Sequence, residues 1–321
     1  MKKKIIFKTQ APDGHLIDSS AILYTVAKPH YLIVVHHGTI FSNDMAPSQA
    51  PMYDQIAELF LKRNCSVIFP DYIGFGISFD THYHPYLHKK SLARNSMCLI
   101  ESLYKQDLIY SKCKILSVGY SEGGYASLAF VELAQKYGII LDSINGSGPY
   151  NLQHTLDKTL QSTHYEFSEY ISYVAHSYEK IYNLKGLVNN LFTGIYPKLT
   201  YKAYQNRFTF EKIHNCYPSE LNRFLNFEFL NGDSDLLVDF KDKLQENTLS
   251  TFIPKGHTTL FSAQYDEVVN VDVSKSTYKM LKEKGAKNIH LVIDDDLESS
   301  HFKSYPQFLK LIVDYIDANS S

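Results

Sequence analysis

Short apolar runs alternate with amphipathic stretches along the first half of the chain. Residues 31–35 contain no polar side chain except a tyrosine hydroxyl, which is typical of a strand buried on both faces of a sheet. Further strands are predicted at residues 4–9, 20–27, 65–69, 113–118 and 139–144. Apolar positions at helical spacing lie between them, at residues 52–60 and 89–106 and from the serine turn to Gly138. Strands that alternate with helices predict an α/β fold with a doubly wound, mostly parallel sheet.

This alternation breaks between residues 150 and 254, where helical patterns dominate and strand patterns almost disappear. Helices are predicted at residues 184–206, 219–230 and 235–246, and one helical face at Phe167, Tyr170, Val174, Tyr178 and Ile181. Strands return at residues 258–263 and 289–293. We therefore predict an α/β core at residues 1–149 and 255–321, with residues 150–254 inserted as a helical cap. A separate C-terminal domain is the alternative, and the return of the α/β alternation disfavours it.

The last two helices are predicted from their terminal residues. One runs from Val271 to Lys284 and ends at Gly285, and the other starts at Ser304. Gln307 stands three residues after Ser304, a spacing that predicts a capping box.

Composition narrows the class of protein. The 321 residues carry a formal net charge of -2 without a strongly basic stretch, so a nucleic-acid partner is not indicated. No run approaches the ~18 apolar residues of a membrane span, so we expect no integral membrane segment.

Only three apolar residues follow the basic residues at 2–4, too few for a signal peptide. We expect a cytoplasmic protein, with export by a route that leaves no N-terminal signature as the open alternative. The oligomeric state is not predicted.

A candidate nucleophile lies where the strand at residues 113–118 meets the following helix. Gly119, Ser121 and Gly123 form the pattern Gly-x-Ser-x-Gly. A serine at a sharp strand-to-helix turn is a nucleophile elbow, and glycines on both sides leave room for the neighbouring backbone. The Glu122 N–H at the helix N-terminus is a candidate oxyanion donor. A glycine-rich turn that merely caps the helix is the structural alternative.

A serine nucleophile needs a base and a carboxylate that orients the base. In a doubly wound sheet these groups lie at the carboxyl ends of strands. Asp266 follows the strand at residues 258–263 and His301 follows the last strand, so Ser121, Asp266 and His301 form the predicted triad. Other acids that fit less well are Glu267, Asp294, Asp295, Asp296, Asp233 and Asp235.

The second oxyanion donor is predicted in the loop after the strand at residues 31–35. Gly38 lets the backbone approach the substrate oxygen, and the Thr39 N–H is the first choice of donor. His36 and His37 precede the nucleophile in the chain, so they are predicted to be structural or to orient this loop.

Three histidines at positions 82, 84 and 88 suggest a metal site at first sight. No cysteine or well-spaced carboxylate completes a ligand set, so no metal and no cofactor are predicted. We expect His84 or His88 to hold the surrounding loop by hydrogen bonds.

The four cysteines lack ligand spacing and are predicted to be free thiols.

Together these motifs make the chain resemble the secretory-lipase-like esterases of the α/β-hydrolase superfamily. The resemblance is carried by residues 37–39, 70–78 with 84–86, 119–124, 266–269 and 301. It implies a serine esterase or lipase that acts on a small-molecule ester with an apolar or amphipathic acyl group. The glycine that is usual in the acid loop is replaced here by Ala263 or Gln264. Two alternatives stay open: a prolyl-oligopeptidase-like peptidase, whose serine motif is similar, and a non-catalytic binding protein on the same scaffold.

Overall fold

The computed structural model describes residues 1–110, 112–249 and 251–320. In these residues, eight strands form one sheet in the order β1-β2-β4-β3-β5-β6-β7-β8. The strands are β1 (Lys2–Gln10), β2 (Leu16–Tyr24), β3 (Tyr31–His36), β4 (Ser66–Pro70), β5 (Lys114–Tyr120), β6 (Asp142–Gly146), β7 (Thr258–Ala263) and β8 (Ile289–Asp294). The first two pair antiparallel, and β2 is antiparallel to β4. All pairs from β4 to β8 are parallel, which confirms the predicted fold class.

Helices cover both faces of this sheet. The helices are α1 (Met52–Leu61), α2 (Lys89–Lys105), α3 (Glu122–Lys136), α4 (Leu152–Leu160), α5 (Glu169–Tyr182), α6 (Leu187–Leu191), α7 (Tyr196–Ala203), α8 (Phe210–His214), α9 (Phe227–Leu230), α10 (Asp235–Glu246), α11 (Val271–Glu283) and α12 (Tyr305–Asn319). One apolar cluster joins α1 and α12 to one face, and a second joins α2 and α3 to the other. The central strands are therefore buried on both sides, as their uninterrupted apolar sequences require.

Helices α4 to α10 lie between β6 and β7 in the chain, and these two strands are neighbours in the sheet. Their apolar core is continuous with residues of α2 and α3. Hydrogen bonds from buried tyrosines connect this helical segment to the rest of the chain. Tyr125 Oη donates to the Asn247 carbonyl at 2.6 Å, and Tyr178 Oη donates to the Leu87 carbonyl at 3.1 Å. Such side chains contribute a large apolar ring to the core while their hydroxyl finds a partner.

Two helix predictions in this segment are wrong. Residues 219–230 form only a short 3₁₀ turn and the four-residue helix α9. Bridges between His164 and Glu220 and between Phe192 and Leu225 hold the backbone extended there, so tertiary contacts override the helical pattern. Residues 184–206 divide into α6 and α7 around Gly194, which has φ +60°.

The capping box at Ser304 is also wrong. The residue has helical dihedral angles, φ −84° and ψ −4°, and its side chain makes no cap hydrogen bond. Instead, Ser304 Oγ donates to Asp294 Oδ2 at 2.6 Å, which ties the start of α12 to the end of β8. A further difference is that β2 begins at Leu16 instead of residue 20, because it pairs with β1 along nine positions. No helix in the described part of the chain is both long and apolar enough to span a bilayer.

Candidate active site

Ser121 occupies the turn between β5 and α3. Its dihedral angles, φ 59° and ψ −125°, lie outside the regions that non-glycine residues normally adopt. A Cβ on Gly119 would stand 2.1 Å from the Gly123 carbonyl oxygen, and a Cβ on Gly123 would stand 2.1 Å from the His36 carbonyl oxygen. Both positions therefore require glycine. The Ser121 N–H donates to the Gly146 carbonyl at 2.8 Å, which helps to hold the turn in this strained geometry.

Asp266 and His301 meet at the carboxyl edge of the sheet because β7 and β8 are parallel neighbours. His301 Nδ1 lies 2.9 Å from both carboxylate oxygens of Asp266. Asp266 Oδ1 also accepts the N–H groups of Val268 at 3.0 Å and Val269 at 2.7 Å. These donors fix the carboxylate, and the carboxylate places the imidazole proton on Nδ1. His301 Nε2 is then an unprotonated nitrogen that can accept a proton.

The rest of His301 is held equally firmly. Its backbone N–H donates to Glu267 Oε2 at 2.9 Å, and its carbonyl accepts from Tyr120 Oη at 2.7 Å. Glu267 was the main alternative to Asp266 as the acid of the triad, and it contacts the backbone of His301 and not its ring. Asp294 accepts from Ser304, and Asp233 and Asp235 are exposed at the start of α10.

Ser121 and His301 line the same cavity at this edge. Within the described residues, no hydrogen bond joins Ser121 Oγ to the His301 ring. Such hydrogen bonds are often long in unliganded enzymes and shorten when substrate binds.

The loop after β3 reaches the serine turn from the opposite side. A Cβ built on Gly38 would lie 3.7 Å from Ser121 Cβ and 3.3 Å from the Tyr120 carbonyl oxygen. The N–H groups of Thr39 and Glu122 have no acceptor among the described residues, so both are free for a ligand. Thr39 Oγ1 is hydrogen-bonded to Tyr86 Oη at 3.0 Å. Thr39 lines the same cavity as Ser121, and Glu122 follows Ser121 in the chain.

His37 contacts this loop directly. Its Nδ1 lies 2.7 Å from the Gly38 carbonyl oxygen, and its ring stacks on Tyr72 with a centroid separation of 4.0 Å. Burial lowers the pKa of His37, which favours the neutral ring. His37 Nε2 lies 3.3 Å from the Asp71 carbonyl oxygen, and the shorter contact at Nδ1 favours a proton there, which donates to the Gly38 carbonyl and holds the peptide that precedes Thr39.

Two cavities meet at Ser121. The first has a volume of about 80 Å³ and lies beneath the helices between β6 and β7. It is lined by Tyr86, Leu87, Glu122, Pro149, Leu152, Thr155, Leu156, Thr159, Tyr165, Tyr170, Ile171, Val174, Phe240, Leu244, Val268 and Val269. The second has a volume of about 350 Å³ and lies between the Gly38 loop, α1 and α12, and His301 is part of its lining. The second volume is within the range of small-molecule sites, and the first is a narrower space that opens at the same serine.

A second imidazole–carboxylate pair lies beside the serine, and the sequence did not predict it. His84 Nε2 lies 2.7 Å from Glu122 Oε1, and both side chains are buried. His84 Nδ1 lies 2.9 Å from the Ile73 carbonyl oxygen, so this histidine holds its loop as expected. His88 instead contacts Ser91 Oγ at the start of α2. His84 and Glu122 are 38 positions apart in the chain, and no sequence motif links two residues at that separation, so the pair could not be predicted.

A model of the family described as secretory lipase matches residues 48–318 of this chain. The chain belongs to the secretory lipase family. This confirms the resemblance inferred from the motifs. No curated protein sequence matches the chain.

Solved structures with the same fold come from bacteria and yeast. A Legionella pneumophila protein described as a hydrolase is 23% identical, with a TM-score of 0.87 over 99% of this chain and 88% of its own. The rice cell wall degrading esterase LipA of Xanthomonas oryzae is 19% identical, with a TM-score of 0.84 over 99% of this chain and 90% of its own. Candida antarctica lipase A is 15% identical, with a TM-score of 0.75 over 99% of this chain and 78% of its own.

In this member of the secretory lipase family, the three histidines at positions 82, 84 and 88 point to different partners. No group of three or more His, Cys, Asp or Glu side chains in the described part of the chain could hold a metal ion. Cys65, Cys98, Cys113 and Cys216 are free thiols.

Proposed function

We propose that this protein hydrolyses carboxylic esters through an acyl-serine intermediate. Ser121 is the nucleophile, His301 is the general base and acid, and Asp266 orients His301. The observation that carries this proposal is the buried Asp266–His301 pair, whose carboxylate contacts Nδ1 and leaves Nε2 without a described partner in a ring that lines the same cavity as Ser121. Membership of the secretory lipase family supports hydrolase chemistry at this site.

The reaction then follows from the positions of these groups. His301 Nε2 takes the Ser121 proton as Oγ attacks the ester carbonyl, and the N–H groups of Glu122 and Thr39 stabilise the oxyanion. The imidazolium gives its proton to the departing alcohol, which leaves Ser121 acylated. Water then attacks the acyl-serine, His301 takes a proton from it, and the acid is released as Oγ recovers its proton.

We infer from the two cavities where the alcohol and the acyl chain of the ester bind. The alcohol receives its proton from His301, which lines the second cavity and not the first, so the alcohol belongs in the second cavity. The acyl chain then enters the first cavity beneath α4, α5 and α10. Its lining is mainly aliphatic and aromatic, which supports an apolar or amphipathic acyl group.

The same lining disfavours a peptide substrate. Peptidases that act near a chain terminus need a charged anchor, and the first cavity has one charged side chain among its described residues, Glu122. That carboxylate is already hydrogen-bonded to His84.

Labelling with a fluorophosphonate probe and assays with p-nitrophenyl esters of increasing acyl length test the proposal. Wild type and the control Ser162→Ala, which changes an exposed serine, should be labelled and active. Ser121→Ala should not be labelled and should lose about 10⁴- to 10⁶-fold in kcat, as in other serine hydrolases. Turnover by Ser121→Ala comparable with wild type would overturn the proposal. Faster cleavage of aminoacyl-naphthylamides than of esters would replace it with a peptidase.

A further inference from the structure

The Glu122–His84 pair stands directly behind the proposed oxyanion site. Glu122 follows Ser121, and its N–H is the proposed donor while its carboxyl group turns into the protein interior. The His84 side chain is fully buried and that of Glu122 is 1% exposed. A charge at this carboxyl group therefore acts on the oxyanion through the protein and not through solvent, where it would be screened.

The hydrogen bonds of His84 determine how many protons the pair holds. The Ile73 carbonyl oxygen can only accept, so His84 Nδ1 carries a proton. The 2.7 Å contact between Nε2 and Glu122 Oε1 needs one more proton between those two atoms. Whether that proton lies on nitrogen or oxygen, the two side chains together have no net charge.

Glu122 has no second side-chain hydrogen bond among the described residues. Its Oε2 is buried and has no hydrogen-bond partner among the described residues. The titratable groups around it are His37, His84, Tyr72, Tyr86, Tyr125, Tyr170 and Tyr173. Burial raises the pKa of Tyr72 and Tyr86, so these hydroxyl groups stay neutral. The His37 ring faces the carbonyl oxygens of Gly38 and Asp71 and makes no described hydrogen bond to Glu122, so it does not take the place of His84. An unpaired carboxylate here would oppose the negative charge that develops on the oxyanion.

We propose that His84 is a positioning residue that shares a proton with Glu122 and so keeps the region behind the oxyanion site electrically neutral. The inference rests on the proposed esterase function. It assigns the Glu122 side chain a role separate from that of its N–H. The same contact ties the loop at residues 73–84 to the first turn of α3, so the experiment has to separate charge from mere attachment.

His84→Asn separates the two because an asparagine amide can still donate to the Ile73 carbonyl but leaves Glu122 without a proton-sharing partner. We expect kcat for a p-nitrophenyl ester to fall about 10- to 100-fold with little change in KM. The loss should grow as pH rises, because an unpaired carboxyl group ionises. Adding Glu122→Gln to His84→Asn removes the charge and should restore kcat at least tenfold with a wild-type pH profile.

His88→Asn is the matched control. His88 is a buried histidine of the same loop, but its ring contacts Ser91 and no carboxylate, so its change should cause no loss that grows with pH. If the pair has only a structural role, the double variant will have as low a kcat as His84→Asn. In that case the pH profile of His84→Asn will also run parallel to that of wild type. That result would overturn the inference.

If His84→Asn does not fold, Glu122→Gln alone tests the pair. A glutamine amide donates to Nε2 while Nδ1 still donates to Ile73, so the variant should keep the shape of the wild-type pH–kcat profile. A new ionisation in that profile would contradict the neutral pair. An inactive wild type would instead reject the proposed function, whereas an active wild type without rescue rejects only this inference.

Discussion

Ser121 lies between two buried imidazole–carboxylate pairs that differ in what their second ring nitrogen meets. In the His301–Asp266 pair, Nδ1 is bound to the carboxylate and Nε2 has no acceptor or donor among the described residues. In the Glu122–His84 pair, Nδ1 is bound to a backbone carbonyl and Nε2 to the carboxylate. Only the first ring keeps a nitrogen available for proton transfer. The same two side-chain types therefore suit a base in one place and a fixed neutral pair in the other.

The carboxylates differ in the same way. Asp266 accepts two backbone N–H groups in addition to the imidazole, so its charge is stabilised even if the ring moves. Glu122 has one donor, His84, and an Oε2 without a partner in the described residues. Asp266 can thus support a transient imidazolium, whereas Glu122 depends on its histidine. Variants of the two pairs should therefore differ in how much kcat they lose.

The largest expected effect comes from the His301–Asp266 pair. His301→Gln removes the base and should lower kcat by about 10⁴- to 10⁶-fold, and Asp266→Asn should cost about 10⁴-fold by favouring the wrong tautomer. Steady-state assays with one p-nitrophenyl ester would measure both against His84→Asn. A smaller loss for Asp266→Asn than for His84→Asn would reverse the roles given to the two pairs.

A change in the turn that carries both Ser121 and Glu122 should disturb the two pairs at once. Gly123→Ala places a Cβ about 2.1 Å from the His36 carbonyl oxygen, and the backbone must move to accept it. We expect a loss of about 3 kcal/mol in the free energy of unfolding, measured by urea denaturation.

Gly138→Ala provides the comparison for that change. Gly138 has φ +80°, but an added Cβ would meet no atom within 4 Å, so only backbone strain of about 1 kcal/mol is expected. Equal losses in the two variants would show that crowding at the turn is not what requires glycine at 123.

Much of the site could be predicted because local sequence determines it. A strand, a strained serine and a helix are contiguous, and Asp266 and His301 each follow a strand by a few residues. Parallel strands end at one edge, so residues after different strands converge even when the strand order is unknown. The family relationship is confirmed, while the catalytic roles stay predictions until the variants are assayed.

The Glu122–His84 pair could not be predicted in this way. His84 lies in an irregular loop after β4, and its path over α3 depends on packing against Tyr72 and Phe75. The helix errors at residues 219–230 have a related cause, because two long-range bridges decide the backbone there. In both places, a contact with a residue distant in the chain decides the structure, and the local pattern does not contain that information.

Buried histidines that are hydrogen-bonded to no carboxylate in the described residues give an effect on stability that depends on pH. Burial lowers the pKa of His36 to about 3 and that of His88 and His176 to about 4. The unfolded chain binds these protons near pH 6.5 and the folded chain does not, so stability is fully present above pH 6.5 and is lost as pH falls towards 4. Each histidine contributes up to about 1.4 kcal/mol per pH unit in that window.

His176→Phe isolates one of these contributions. The ring lies between Tyr201 and Tyr204, where an aromatic replacement can pack without binding a proton. Between about pH 7 and pH 4.5, the variant should lose about 2 kcal/mol less unfolding free energy than wild type, measured by urea denaturation at both values. An equal loss in both proteins would mean that His176 is protonated in the folded state.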